Sequence, residues 1–195
     1  MAEPSRSRHV RSRGPALIAV DSVSALALTN AARAALASLD RRKRSGISHW
    51  DASGLFEELA IADENAGRPS SRTLLLLYAA DLAFRLRWEI APALNAGRSV
   101  VAAPYVDTAI AFGRAAGLRG GWLRDLFRFA PPPTARRFAE PAHPRAARHG
   151  TGFVEFGRDR VMGAVSGLTG QQLVDRTAAY LRAAAARGGV RMIRV

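Results

Sequence analysis

The sequence predicts an α/β domain built on a doubly wound parallel sheet, and three observations carry that reading. Ala16 to Val20 is a short apolar run closed by Asp21, the pattern of a strand buried on both faces. A second such run spans Ser99 to Ala103, and Val190 to Val195 reads as a final strand. Between them lie stretches of helical length, so strand and helix patterns alternate along the chain.

From Ala25 to Leu39 alanine and leucine dominate without glycine or proline, which predicts a helix. The basic run Arg41, Arg42, Lys43, Arg44 suits the carboxyl end of that helix, where the dipole favours cations. Ile47 to Trp50 reads as a second strand, followed by an acidic helix around Leu55 to Ala62. Gly67 to Ser71 marks a loop in which Ser70 or Ser71 caps the next helix, Arg72 to Leu94. That helix carries Leu75, Tyr78, Ala79, Leu82 and Leu86 on one broad face, with Pro92 near its end and Gly97 just beyond. Thr108 to Ala116 predicts a short helix, and Gly120-Gly121 opens another, Trp122 to Phe129, stopped by three prolines from Pro131. Ala135 to Glu140 has the length of a strand, but Arg136 and Arg137 do not suit a sheet buried on both faces. His143 to Gly167, rich in Arg and Gly, reads as a mobile excursion; Gln171 to Arg187 reads as a helix. No internal repeat appears.

A chain of 195 residues accommodates one core, placed at 15–195 behind a disordered basic arm at 1–14. In that arm Arg6, Arg8, Arg11 and Arg13 alternate with residues that have nothing to bury. The densest apolar run, Leu74 to Ala80, is far shorter than the roughly 18 residues that span a bilayer. Ala16 to Val20 is too brief for a secretory core, so a cytoplasmic location with no membrane association is expected. The absence of cysteine excludes disulfides and thiolate metal sites. The net charge of +13 comes almost wholly from arginine, Lys43 being the only lysine; a coding bias towards Arg and Ala accounts for it, and nucleic-acid binding through the arm is the sharper alternative.

The segment Leu74-Leu-Leu-Leu-Tyr-Ala-Ala-Asp81 resembles a helix of the thymidylate kinase family that reads LLF-A-A-D-R. The resemblance continues through Pro92-Ala-Leu-Asn-Ala-Gly97 into Val100-Val-Ala-Ala-Pro-Tyr-Val-Asp-Thr-Ala-Ile-Ala-Phe112, similar to the family's strand and its D-R-Y-x-x-S-x-x-A-Y motif. Trp122-Leu-Arg-Asp-Leu-Phe-Arg-Phe129 and Gly188-Gly-Val-Arg-Met-Ile-Arg-Val195 look like the helix before its fourth strand and its last strand. The resemblance covers about 15–195 and implies a three-layer P-loop-kinase-like domain without the family's closing helix. It also implies ATP and magnesium as cofactors, and dimerisation through the helix around Leu75, Tyr78, Leu82 and Leu86.

The pattern departs from the family where the chemistry lies. A phosphate loop needs glycines, a lysine and a Ser/Thr hydroxyl for magnesium. Asp21-Ser-Val-Ser-Ala-Leu-Ala-Leu-Thr-Asn30 contains no glycine, places Leu28 at the lysine position, and leaves Asp21 and Thr29 as the remnants. Ala103 and Pro104 stand at the Asp-Arg positions that handle the acceptor phosphate, and Leu82 at the Arg that contacts the base. What remains of a base pocket is Tyr78, Tyr105, Asp107 and Phe112, of which Tyr78 and Phe112 read first as core residues.

No other constellation carries chemistry. His143 and His149 lack acidic neighbours for a metal; His49-Trp50-Asp51 lacks a nucleophile; Glu57, Glu58, Asp63 and Glu64 form a solvated face. The expectation is a catalytically degenerate, thymidylate-kinase-like protein with no catalytic residue, no metal and no cofactor. It would pair with itself or a related kinase-like chain, within a larger complex or alone. The alternatives are an active nucleoside monophosphate kinase (ATP:dTMP phosphotransferase) with an atypical phosphate site, and a nucleic-acid-binding protein.

Overall fold

The computed structural model describes residues 14–50, 69–142, 152–160 and 168–195. Expectations for the arm at 1–13, for the acidic helix and its carboxylates, for Asp51 and for His143 and His149 lie outside the described residues.

Strand β1 (Leu17–Asp21) is buried along its whole length. It pairs in parallel with β3 (Ser99–Ala103) on one side and β4 (Ala135–Glu140) on the other. With β2 (Arg44–His49) and β5 (Met192–Arg194) the order is β2-β3-β1-β4-β5, all parallel. Residues alternate between two cores. Ile18, Val20, Val101, Ala103 and Ala139 meet α1 (Ala25–Ala37). Leu17, Ala19, Val100, Ala102 and Phe138 meet the helices of the opposite layer. The result is the predicted three-layer α/β/α domain.

Helix α1 starts at Ser24, whose hydroxyl accepts from Ala27 N, and ends at Ala37, where Ser38 Oγ turns back onto the Ala35 carbonyl at 2.7 Å. The basic run is therefore not the end of this helix. Residues Arg41 to Lys43 form a turn held by Asp40, and Arg44 already opens β2.

In the opposite layer α2 (Ser71–Arg85), capped by Ser70, runs through a π-helical turn (Leu86–Ile90) into α3 (Ala91–Asn95). Gly97 then takes a left-handed φ of 71°, which terminates the segment. Leu75, Tyr78 and Leu82, expected on a dimer face, are instead wholly buried in this chain's own core, with Leu86 packed against it. The large apolar side chains that α2 and the π turn leave in solvent are Leu76, Phe84 and Trp88, at 49%, 61% and 60% exposure. The helix is apolar on both faces, so its apolar spacing alone does not tell the inner face from the outer.

Helices α4 (Val106–Ala115), α5 (Gly120–Leu126), α6 (Phe153–Arg160) and α7 (Gly170–Arg187) complete the layer. Helix α5 ends at Leu126, earlier than expected. Helix α7 begins in a capping box in which Thr169 accepts from Gln172 N while Gln172 accepts from Thr169 N. Two readings are corrected here. The arginines of β4 are accommodated because their heads leave the sheet, Arg136 towards Asp107 at 3.8 Å and Arg137 to Ser38 Oγ at 3.1 Å. Part of the supposed excursion is helix α6, which packs on α7 and buries Phe153, Val154 and Glu155.

Candidate functional site

Open parallel sheets present ligands at the carboxyl ends of their strands. There β1 ends in Asp21, which is 1% exposed. Its Oδ1 accepts from Tyr105 N (3.0 Å), Thr108 N (2.9 Å) and Thr108 Oγ1 (2.8 Å), tying β1 to the start of α4, while Oδ2 has no partner among the described residues. Burial raises its pKa to about 7, and the nearby Asp107 charge adds to the rise; the bonds from Thr108 and Tyr105 oppose it. Asp107 is raised too, by burial, against the attraction of Arg136 and Arg187. Asp21 is thus a buried tether rather than a residue facing a ligand.

The next residues form the turn into α1, where backbone amides would be free to meet an anion. Three of them are taken here. Ser24 N donates to Ser22 Oγ (3.1 Å), Ala27 N to Ser24 Oγ (3.4 Å), and Ala25 N to both oxygens of Glu155 at 3.2 Å. Glu155 also accepts from Gly152 N at 3.0 Å and is 1% exposed. A carboxylate of the chain itself sits at the positive end of α1, a favourable place for negative charge. A Cβ at Gly152 would come within 2.6 Å of Glu155 Oε2, so glycine there lets the carboxylate lie against the backbone.

The three aromatic residues of the expected base pocket come together as core, while Asp107 stays part-exposed facing Arg136. Tyr78 is fully buried and donates to the Tyr105 carbonyl at 2.7 Å. Burial drives its hydroxyl strongly upward in pKa. Tyr105, pushed up to about 12 mainly by burial, donates to the Pro131 carbonyl at 2.7 Å. Phe153 stands between the other two rings, 4.5 Å from Tyr78 and 5.1 Å from Phe112. A Cβ on Gly157 of the same helix would approach Phe112 to 2.6 Å, so α6 lies directly on this cluster. Beneath it Arg85, 2% exposed, donates to Asp81 (2.8 Å) and to the Pro104 carbonyl (3.2 Å).

Thr29, the second remnant of the loop, is exposed on α1 and borders a different feature. A cavity of about 460 Å³ opens between α1, the ends of β2 and β3, and the start of α6. Leu28, Ala103 and Pro104, which stand where the resemblance implies a lysine and an Asp-Arg pair, all line it. Sequence reasoning missed α6, Glu155 and Arg85. The first two were hidden in Gly- and Arg-rich chain; Arg85 was signalled only by its i,i+4 spacing from Asp81. Among the described residues no group of three acidic or imidazole side chains could hold a metal ion, and no helix is long and apolar enough to cross a membrane.

No family model matches the chain, and no curated protein matches it. Among solved structures it is similar to thymidylate kinase from Ehrlichia chaffeensis, with a TM-score of 0.65 and 14% identity over 93% of this chain and 87% of that one. At that identity the likeness establishes architecture: the chain has a thymidylate-kinase-like, P-loop-kinase α/β fold.

Proposed function

We propose that this chain is a catalytically silent member of the thymidylate-kinase-like fold, a pseudokinase that serves as a dimeric accessory or interaction subunit. The observation that carries the reading is the start of α1, where Ser22, Ser24 and Glu155 take the amides of Ser24, Ala27 and Ala25. ATP and magnesium, which the fold family implies, do not fit this donor set. The carboxylate repels a phosphate, Leu28 offers no charge, and Ala103 and Pro104 offer no acceptor-site cation.

Charge-assisted contacts to a buried phosphate are worth roughly 1.5–3 kcal/mol each, so three lost together weaken binding by about three decades or more. Rate falls further, because the same groups stabilise charge in the transition state. A coupled assay with ATP, magnesium and thymidylate should show no turnover, and Leu28→Lys should not rescue it. Measurable transfer by the native chain would move the active-kinase alternative to first place.

Support for the dimeric part comes from Leu76, Phe84 and Trp88, a stripe of exposed apolar side chains along α2 and the π turn. Phe84 and Trp88 lie 6.4 Å apart, and a second copy of the stripe would cover them isologously. Light scattering should give a dimer at tens of micromolar that Phe84→Asp converts to monomer. A monomeric native chain with no co-purifying partner would contradict it.

A further inference from the structure

The cavity beside α1 is walled by Leu28, Ala32, Leu36, Ile47 and Pro104, with the rings of Trp50 and Phe153 closing one end. Those rings are held edge to face, 5.6 Å apart at 84°, so the end wall is rigid and aromatic. Its volume, about 460 Å³, lies in the range of small-molecule sites. At its mouth stand Arg33, His49 and Thr29, all exposed, and among the described residues no carboxylate lines it. Arg33 has no hydrogen bond or ion pair among the described residues.

A second cavity, about 440 Å³ between α7 and the ends of β4 and β5, supplies the contrast. It also has two arginines at its wall, but both are neutralised by Glu140: Arg182 at 3.4 Å and Arg194 at 3.1 Å. The cavity beside α1 therefore differs in having apolar walls and a cation with no counter-ion among the described residues. Because Glu155 already occupies the Ala25 amide, an anion entering this cavity can be met at its mouth but not at the helix start.

We infer that this cavity binds a small, flat, largely apolar monoanion, an aromatic carboxylate or sulfonate, with its ring against Trp50 and Phe153 and its charge on Arg33. The inference rests on the proposed loss of nucleotide binding, since the residues that replace the phosphate contacts make the apolar wall. A flat ring gains from aromatic contact and from leaving water, and a single charge matches a single guanidinium. Polyphosphates are disfavoured because nothing behind Arg33 carries positive charge.

The test is calorimetric titration of the full chain with 1-naphthoate, beside its uncharged analogue 1-naphthalenemethanol and beside ATP with magnesium. Thr29→Trp fills the mouth and Arg33→Glu reverses its charge. Both positions are exposed, and circular dichroism verifies that the variants fold. Naphthoate should bind one to one, the neutral analogue and Arg33→Glu should each weaken binding roughly tenfold or more, and Thr29→Trp should abolish it. No heat from naphthoate, or equal binding by Thr29→Trp, overturns the inference. Tight ATP binding would instead overturn the proposed function, so the two failures are told apart.

Discussion

The two sides of the sheet are filled in different ways. Among the described residues the α1 side is a single helix whose inward residues are mostly alanine: Ala27, Ala31, Ala32 and Ala35. The opposite side is packed, among the described residues, by six helices around large rings: Tyr78, Phe112, Phe127, Phe138 and Phe153. Small side chains let α1 lie close to the sheet but leave room at its outer edge, where the cavity opens. On the other side α6 drives an aromatic ring into the space where the family resemblance implies a nucleobase. The aromatic cluster is therefore tightly filled, whereas the outer edge of α1 leaves a cavity whose arginine is unpaired among the described residues, and a search for function belongs there.

Removing the ring at the centre of the tight side should give the largest effect. Phe153 is 1% exposed and meets Trp50, Tyr78 and Phe112, so Phe153→Ala should destabilise the fold by about 3–5 kcal/mol in urea unfolding. A loss near zero would mean that the aromatic side is no better packed than the α1 side.

Adding atoms sharpens the contrast from the other direction. Gly157→Ala would press a Cβ to 2.6 Å from Phe112 and 3.1 Å from Leu74, and should cost about 1–3 kcal/mol. Thr29→Ile adds carbon on the exposed cavity rim of α1 and should change stability by less than about 1 kcal/mol, because the added group extends into open space. Equal penalties in thermal unfolding would erase the distinction.

The last effect, read as a slope with pH and not as a single value, concerns Asp21 at the end of β1. Its carboxyl titrates near 7 in the folded chain against 3.8 when unperturbed. Between those values the unfolded chain releases the proton first, so deprotonation favours unfolding. This group's contribution is fully present below about 3.8 and is lost as pH rises towards about 7. Asp21→Asn keeps an oxygen for Tyr105 and Thr108 and has no proton to lose, so its unfolding free energy should decline less over that window than the native chain's.

What the sequence made legible follows the same division. Strands β1 and β3 were evident because a strand buried on both faces must be apolar throughout, and Leu17 to Val20 and Val100 to Ala103 satisfy that. Strand β4 was less evident, since Arg136 and Arg137 reach partners on α4 and after α1 that no local pattern announces. The inner face of α2 could not be separated from the outer one, because Leu74 to Leu77 supplies apolar groups in every direction. Helix α6 was missed because its anchors, Phe153 and Glu155, are explained only by contacts about 40 to 130 positions away in the chain: Phe112 and Ala25. The departure of the loop from a phosphate-binding pattern could be read directly, but what replaces the phosphate could not, for that is a tertiary contact.

The measurement that bears most directly on the account is a calorimetric titration of the full chain with ATP and magnesium, run in parallel on Glu155→Gln. With the α1 amides held by Ser22, Ser24 and Glu155, the native chain should give no saturable heat up to about millimolar nucleotide. Relief of charge repulsion in the variant should strengthen binding only weakly, since Leu28 remains. A micromolar dissociation constant for the native chain would contradict the account, because it would require those amides to be open to phosphate.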